Sequence, residues 1–208
     1  IPNKLPEYVG SLHGLCYRVL QKSKNVNYSV IDEKDSRSLI REVVDSDNDT
    51  DDDTKSLIRS RIISFFDIAS TKYPFNLKRV VSENNMKIYF EKINKYYKEY
   101  TKRKRSMKIL DFSDLLVLFC DFLKTKKGIE YLKSIKYIFF DEYQDINPIQ
   151  NYILLKFYNK TNIMAVGDDS QAIYSFRGSN IKFINGFEKN FTPSKIYKLE
   201  INYRSSPR

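Results

Sequence analysis

Carboxylates follow short apolar runs at two places in this sequence. Tyr137 to Phe140 lead directly into Asp141 and Glu142, with Asp145 close behind, and the run Ile163 to Val166 leads past Gly167 into Asp168 and Asp169. An acid at the end of a strand can hold Mg²⁺ bound to nucleotide phosphates while its neighbour orients an attacking water. A single acidic pair after an apolar run arises often by chance. Two strands of one open parallel sheet would aim both pairs at one edge, because ligands in such sheets gather at the carboxyl ends of the strands.

The elements that must position these acids are legible from periodicity. From Lys136 onward, short apolar runs alternate with turn signals and helical segments: KYIFF, NPIQNYILLKFY, NIMAVGDD, SNIKFINGF and KIYKLEINYR. Buried strands of four to six residues separated by helices are the pattern of a parallel α/β sheet. Asn147 can cap a helix whose first turn suits Pro148. Upstream, DFSDLLVLFCDFL (111–123) reads as a buried helix capped by Asp111 or Ser113.

The first half of the chain has little strand character. Leu12, Leu15, Cys16, Val19 and Leu20 repeat at helical spacing within Ser11 to Gln21, and Leu57, Ile58, Ile62, Phe65 and Phe66 share a face further on. Between them lies DSDNDTDDD, Asp45 to Asp53. As a calcium loop begun at Asp45, it puts Thr50 where glycine is needed and Ser56 where a bidentate Glu is needed, so a solvated or disordered acidic loop is the expectation. A further long helix is expected from Asn85 to Arg105, carrying Ile88, Tyr89, Ile93, Tyr96, Tyr97 and Tyr100. From Lys95 to Lys108 it holds seven Lys or Arg against one Glu. Such tyrosines either stack on nucleic-acid bases beside phosphate contacts or pack inward beneath a solvated basic face.

Bulk composition narrows the class. The chain has 208 residues, 41% of them apolar, enough for a core, and a net charge of +10, which favours anionic partners. No run reaches the roughly 18 to 20 apolar residues of a membrane span, and IPNKLPEYVG lacks the regions of a signal peptide, so a soluble intracellular protein is expected. Cys16, Cys120 and His13 lie in no metal-site spacing, and the cysteines read as reduced core thiols. Ile1 at the start and Arg208 in a polar segment at the end suggest a piece of a longer polypeptide.

DEYQD at 141–145, VGDDSQAIYSFRGS at 166–179 and LEINYRSS at 199–206 occur in this order and closely resemble motifs II, III and IV of the superfamily 1 DNA helicases similar to UvrD, PcrA and Rep. SLHGLCYRVL resembles that family's T-x-H-S-x-C-x-x-x-L segment, and LDFSDLL its D-F-D-D-L-L segment. The resemblance implies an α/β fold: a RecA-like P-loop NTPase parallel sheet, here lacking the Walker A strand and loop, with an inserted all-helical subdomain. Residues 1–24 and 107–208 would form the partial ATPase domain, and 25–106 the insertion.

Carried to these positions, the resemblance implies that Asp141 ligands Mg²⁺ and Glu142 polarises the hydrolytic water. Gln171 would sense the γ-phosphate, Tyr203 would stack on adenine, and Arg204 would neutralise charge on the transferred phosphoryl group. His13, Tyr174, Phe176 and Arg177 would line single-stranded DNA. Outside the motif order, Tyr174 and Phe176 read as core aromatics and Arg204 as a surface cation. Gly14 stands where the family has Ser, and Phe176 where Trp is common.

The implied activity is ATP-driven 3′ to 5′ movement on single-stranded DNA with unwinding of 3′-tailed duplex, in a DNA-repair-type helicase using ATP and Mg²⁺. None of the six glycines is followed by lysine, so the phosphate-cradling G-x-x-x-x-G-K-[ST] loop is absent. That loop and the second RecA-like domain are expected elsewhere in the full-length chain, and the 208 residues alone are expected to hydrolyse ATP negligibly. The alternatives are a non-catalytic DNA-binding remnant and a helicase–nuclease of the AddA or RecB kind.

Overall fold

Two pairs of short parallel strands organise an otherwise helical chain. The computed structural model describes residues 5–24, 28–71, 73–171, 182–199 and 201. Helix α1, Leu12–Lys24, leads to strand β1, Ser29–Val30, then to α2 (Glu33–Asp45), α3 (Asp52–Ser70), α4 (Leu77–Glu83) and α5 (Phe90–Ser106), and to β2, Ile109–Leu110. There follow α6 (Phe112–Phe122), α7 (Lys126–Ser134), β3 (Tyr137–Phe140), α8 (Pro148–Phe157), β4 (Asn162–Ala165), α9 (Lys182–Asn185) and α10 (Phe187–Asn190).

Strands β1 and β2 pair in parallel, Ser29 opposite Ile109 and Val30 opposite Leu110, so the chain leaving for α2 and the chain returning from α5 are tied side by side. Between them, Val43, Val44, Ile58, Ile62, Phe66, Val80, Ile93 and Tyr96 build one apolar core. Helix α2 has no counterpart among the sequence-based expectations. Its start is fixed by Asp32, whose carboxylate accepts the Asp35 N–H.

The acidic run is a mostly solvent-exposed loop between α2 and α3, as expected, but it is pinned to the core at Asp47 and Thr50. Asp47 is buried, and its carboxylate accepts hydrogen bonds from Thr50 Oγ1 at 2.7 Å, Tyr96 Oη at 2.8 Å and Lys95 Nζ at 3.0 Å. The Thr50 hydroxyl is the foremost of the contacts that hold this carboxyl well below the usual carboxylate range. Asp51 caps α3, and Asp52 and Asp53 occupy its first turn, where the helix dipole favours negative charge. The long helix expected from Asn85 is interrupted: Asn85 takes a left-handed backbone, φ +57°, and a 3-10 turn at Lys87–Tyr89 precedes α5. Tyr96 and Tyr100 are buried, so the inward packing holds and stacking on bases is excluded for these two. Leu57 lies at the rim of its helical face rather than in the core.

Lys104, inside the basic stretch, is buried as well. Its Nζ lies 2.5 Å from Asp111 Oδ2 and 2.6 Å from Asp114 Oδ2, and 4.4 Å from the centre of the Tyr100 ring. Burial pulls this ammonium's pKa down, but Asp111 and Asp114 outweigh it and the net shift is upward. The same acids form the reciprocal capping box of α6, which settles its cap on Asp111 rather than Ser113. One cluster thus joins the end of α5 to the start of α6.

A second core lies among α1, α6, α7 and α8, around Cys16, Leu115, Phe119, Cys120, Ile149 and Ile153. Both cysteines are free and buried, as expected. Gly128 in α7 is required by space, since a Cβ there would meet the backbone of Phe122 and lie 2.7 Å from Leu123 Cα. Helix α8 carries the expected Asn147 cap and Pro148, with Asn147 and Gln150 capping reciprocally. It connects β3 to β4, which pair in parallel with Tyr137 opposite Asn162 and Phe140 opposite Ala165. Ile138, Phe140, Ile163 and Ala165 face the α8 side.

On the other face, Tyr137, Phe139, Met164 and Val166 are 66%, 76%, 55% and 46% exposed. The strands, expected to be buried, are covered on one face only; among the described residues no element covers the other. Residues 194–199 form no strand, and Ile196, Tyr197 and Leu199 are exposed, because a strand needs a neighbour to bond and none is described beside them. No helix among the described residues is long and apolar enough to cross a membrane.

Candidate functional site

The carboxyl ends of β3 and β4 lie side by side. Beyond the strand pairing, the Val166 N–H donates to the Phe140 carbonyl at 2.8 Å, and the Tyr143 N–H donates back to the Val166 carbonyl at 2.8 Å. These bonds carry the two strands together into the turns that hold Asp141, Glu142, Asp168 and Asp169, all exposed at one edge. The shared acidic edge expected from the sequence is therefore present.

The backbone turns sharply at Glu142, with φ +52° and ψ +46°. A left-handed backbone at a residue with a Cβ is strained by about 1–2 kcal/mol and persists where its surroundings fix it. Here they do. Asp145 N–H donates to the Glu142 carbonyl at 2.9 Å, and the Glu142 N–H to Asp141 Oδ1 at 3.0 Å. Tyr143 next door is buried, edge-on to Phe140 and Phe187, and its hydroxyl donates to Asn151 Oδ1 at 2.8 Å.

Gln144, which sequence reading left unassigned, joins the two turns. It is 2% exposed; its Nε2 donates to Glu142 Oε2 at 2.6 Å, and its Oε1 accepts the Asp168 N–H at 3.0 Å. The approach depends on Gly167, where a Cβ would lie 2.8 Å from Gln144 Oε1 and 3.1 Å from Tyr143 N. Asp168 in turn accepts from the Ser170 N–H at 2.9 Å and from Gln171 Nε2 at 2.8 Å. The Gln171 bond is the foremost cause that lowers the Asp168 carboxyl's pKa. Asp145 Oδ1 is enclosed without a donor among the described residues, and burial, then the charge of Glu142, raises its carboxyl's pKa.

Among the expected site residues, Asp141, Glu142 and Gln171 thus come together. His13 does not join them. It sits in the first turn of α1, edge-on to Phe112 with ring centres 5.5 Å apart, and burial lowers its pKa. Beside it, a Cβ on Gly14 would collide with the Tyr8 hydroxyl, which donates to the Ser11 carbonyl at 2.9 Å. Tyr174, Phe176, Arg177, Tyr203 and Arg204 lie outside the described residues.

The oxygen-only donor set suits a hard cation. Among the described residues no three His, Cys, Asp or Glu side chains converge into a metal cage. One or two carboxylates with open surroundings fit Mg²⁺, which keeps several waters and takes its remaining ligands from phosphates.

Residues 6–192 match the profile of the UvrD/REP helicase N-terminal domain. Similar curated proteins include the ATP-dependent DNA helicase Rep of Buchnera aphidicola subsp. Schizaphis graminum, 32% identical over 96% of this chain and 31% of the relative. The ATP-dependent DNA helicase PcrA of Staphylococcus epidermidis is 29% identical over 96% of this chain and 28% of its own length. A probable DNA helicase II homolog of Rickettsia conorii is 33% identical over 95% and 31% respectively. The chain spans about a third of the length of these relatives.

Proposed function

The chain belongs to the UvrD/REP helicase N-terminal domain family, and from that premise we propose that it is the part of an ATP-dependent DNA helicase that holds the water-activating edge of the motor. The observation that carries this reading is the bonded series Glu142, Gln144, Asp168, Gln171 at the common end of two parallel strands. An idle surface has no physical need for such an arrangement.

In this reading ATP is the substrate. Asp141 would hold Mg²⁺, whose charge neutralises the phosphates. Glu142 accepts the proton of the attacking water, and Gln171 contacts the γ-phosphate and relays its presence. Tyr203 and Arg204 complete the nucleotide site, and His13, Tyr174, Phe176 and Arg177 contact single-stranded DNA. Residues 1–24 and 107–208 form an incomplete RecA-like domain, with 25–106 as its helical insertion. The exposed face of β3 and β4 supports this, because parallel sheets are covered on both faces. The Walker A loop and second motor domain belong to other parts of the full-length protein, whose movement runs 3′ to 5′.

Strand displacement by the full-length protein tests the reading. Unwinding of a 3′-tailed duplex that requires hydrolysable ATP, with a 5′-tailed duplex left intact, supports it. ATP-independent binding of single strands with no unwinding of either duplex refutes it in favour of a DNA-binding remnant.

A further inference from the structure

We propose that Gln144 is a positioning residue that fixes the Glu142 carboxylate to the Asp168–Gln171 turn, so that the water-activating acid and the phosphate-contacting glutamine move as one unit. The proposal rests on the hydrolytic reading of this edge and adds to it the physical link between its two turns.

Both polar ends of the Gln144 amide are used in opposite senses: the NH₂ donates to Glu142 Oε2 at 2.6 Å and the carbonyl accepts the Asp168 N–H at 3.0 Å. Gln144 is 2% exposed, so water cannot satisfy its own amide if either bond is lost. One Glu142 oxygen is thereby held, and the carboxylate's orientation is fixed relative to β4 rather than only to its own strained turn. Asp168 carries the link onward, since its carboxylate holds both the Ser170 N–H and Gln171 Nε2. A shift of Gln171 that pulls on Asp168 must either stretch the bond to Gln144 or turn Glu142 with it.

Residue type matters at this position. Glutamate would keep the acceptor for Asp168 and place a second carboxylate against Glu142. Methionine has similar length and volume and can make neither bond. Asparagine is one carbon short of spanning both partners. Gly167 leaves the room that brings the second turn onto the amide.

The test uses the full-length protein, with Glu142→Gln, Gln144→Met, Gln171→Ala and the double variant Gln144→Met/Gln171→Ala. DNA-stimulated ATP hydrolysis gives kcat and KM, and thermal unfolding checks folding. The expected result for Gln144→Met is a fall in kcat of about 10- to 100-fold, the scale of a misplaced catalytic group, with KM for ATP within about threefold. The double variant should be no slower than the slower single one, since both break the same link.

Wild-type kcat for Gln144→Met beside an inactive Glu142→Gln overturns the link and leaves the hydrolytic reading standing. So does a raised KM at unchanged kcat, or additive losses in the double variant. Retained turnover in Glu142→Gln overturns the reading itself. If Gln144→Met does not fold, Gln144→Glu keeps the length and the Asp168 acceptor, and the same kinetic outcomes decide.

Discussion

Replacing Lys104 with methionine removes the ammonium that lies between Asp111 and Asp114 and leaves two acids facing each other at the α5–α6 junction. The lysine side chain is 6% exposed, Asp111 14% and Asp114 29%. Removing one partner of a buried ion pair costs about 3–5 kcal/mol. The partial exposure of Asp114 allows some screening, which places the expected loss near the lower end, about 3 kcal/mol at pH 8. The loss should depend on pH in a defined direction. With Lys104 in place, its two neighbours raise its pKa, so its contribution is complete below the ordinary lysine pKa and fades only as pH climbs through the higher folded value.

Burial raises the Asp111 pKa, but Lys104 outweighs it and the net shift is downward, so the stability Asp111 contributes is present above about pH 3.9 and fades in acid. Asp114 is shifted upward by burial and then by Asp111, so its contribution is present in acid and fades as pH rises. Without the cation both acids become harder to ionise. The deficit of Lys104→Met should therefore be largest at pH 8 and shrink as pH falls toward 4. Urea denaturation followed by circular dichroism at pH 8 and pH 4.5 measures it. A loss under 1 kcal/mol at pH 8, or the same loss at both pH values, refutes the reasoning.

The buried carboxylate of the acidic run gives a second case. Asp47→Ala leaves the buried Tyr96 hydroxyl only its longer 3.3 Å bond to Thr50 Oγ1 and should cost about 1–3 kcal/mol, Tyr96→Phe about 1 kcal/mol, and the double variant less than the sum in the same denaturation assay. Because the Asp47 carboxyl is held below its ordinary range, this stability is present above about pH 4 and lost as pH falls through the folded value. Gly128→Ala forces a Cβ onto the Phe122–Leu123 backbone and should destabilise by about 1–3 kcal/mol, read as a lowered Tm. Burial pushes the Cys120 thiol up to about 12 and raises Cys16 as well, so iodoacetamide at pH 8 should label neither in the native protein and both after unfolding.

Apolar periodicity made the fold legible wherever burial alone decides structure. Strand β3, its parallel partner β4, and the caps of α6 and α8 follow from alternating apolar runs and from Asp111, Asn147 and Pro148. The acids of the site were legible too, because they follow those strands directly. Pairings of polar residues distant in sequence were not. Asp47 meets Tyr96 across 49 positions, so composition alone suggested a solvated loop. Lys104 looked like one more surface cation because nothing local marks it as facing Asp111 and Asp114. The signal for Gln144 was present but unread: a polar residue two positions past an acid, inside the short turn between the buried Tyr143 and Ile146. Helix α2 escaped notice because its apolar face, Leu39, Ile40, Val43 and Val44, is confined to its last turns, while Glu33 to Ser38 before it are all polar.

Glu142 is proposed to activate water for ATP hydrolysis at the β3–β4 edge. Steady-state ATP hydrolysis by full-length wild type and Glu142→Gln with saturating single-stranded DNA, beside equilibrium binding of a fluorescent ATP analogue, tests it most directly. Turnover should fall by about 100-fold or more in the variant, with nucleotide affinity within a few-fold of wild type. Wild-type turnover in Glu142→Gln would contradict it.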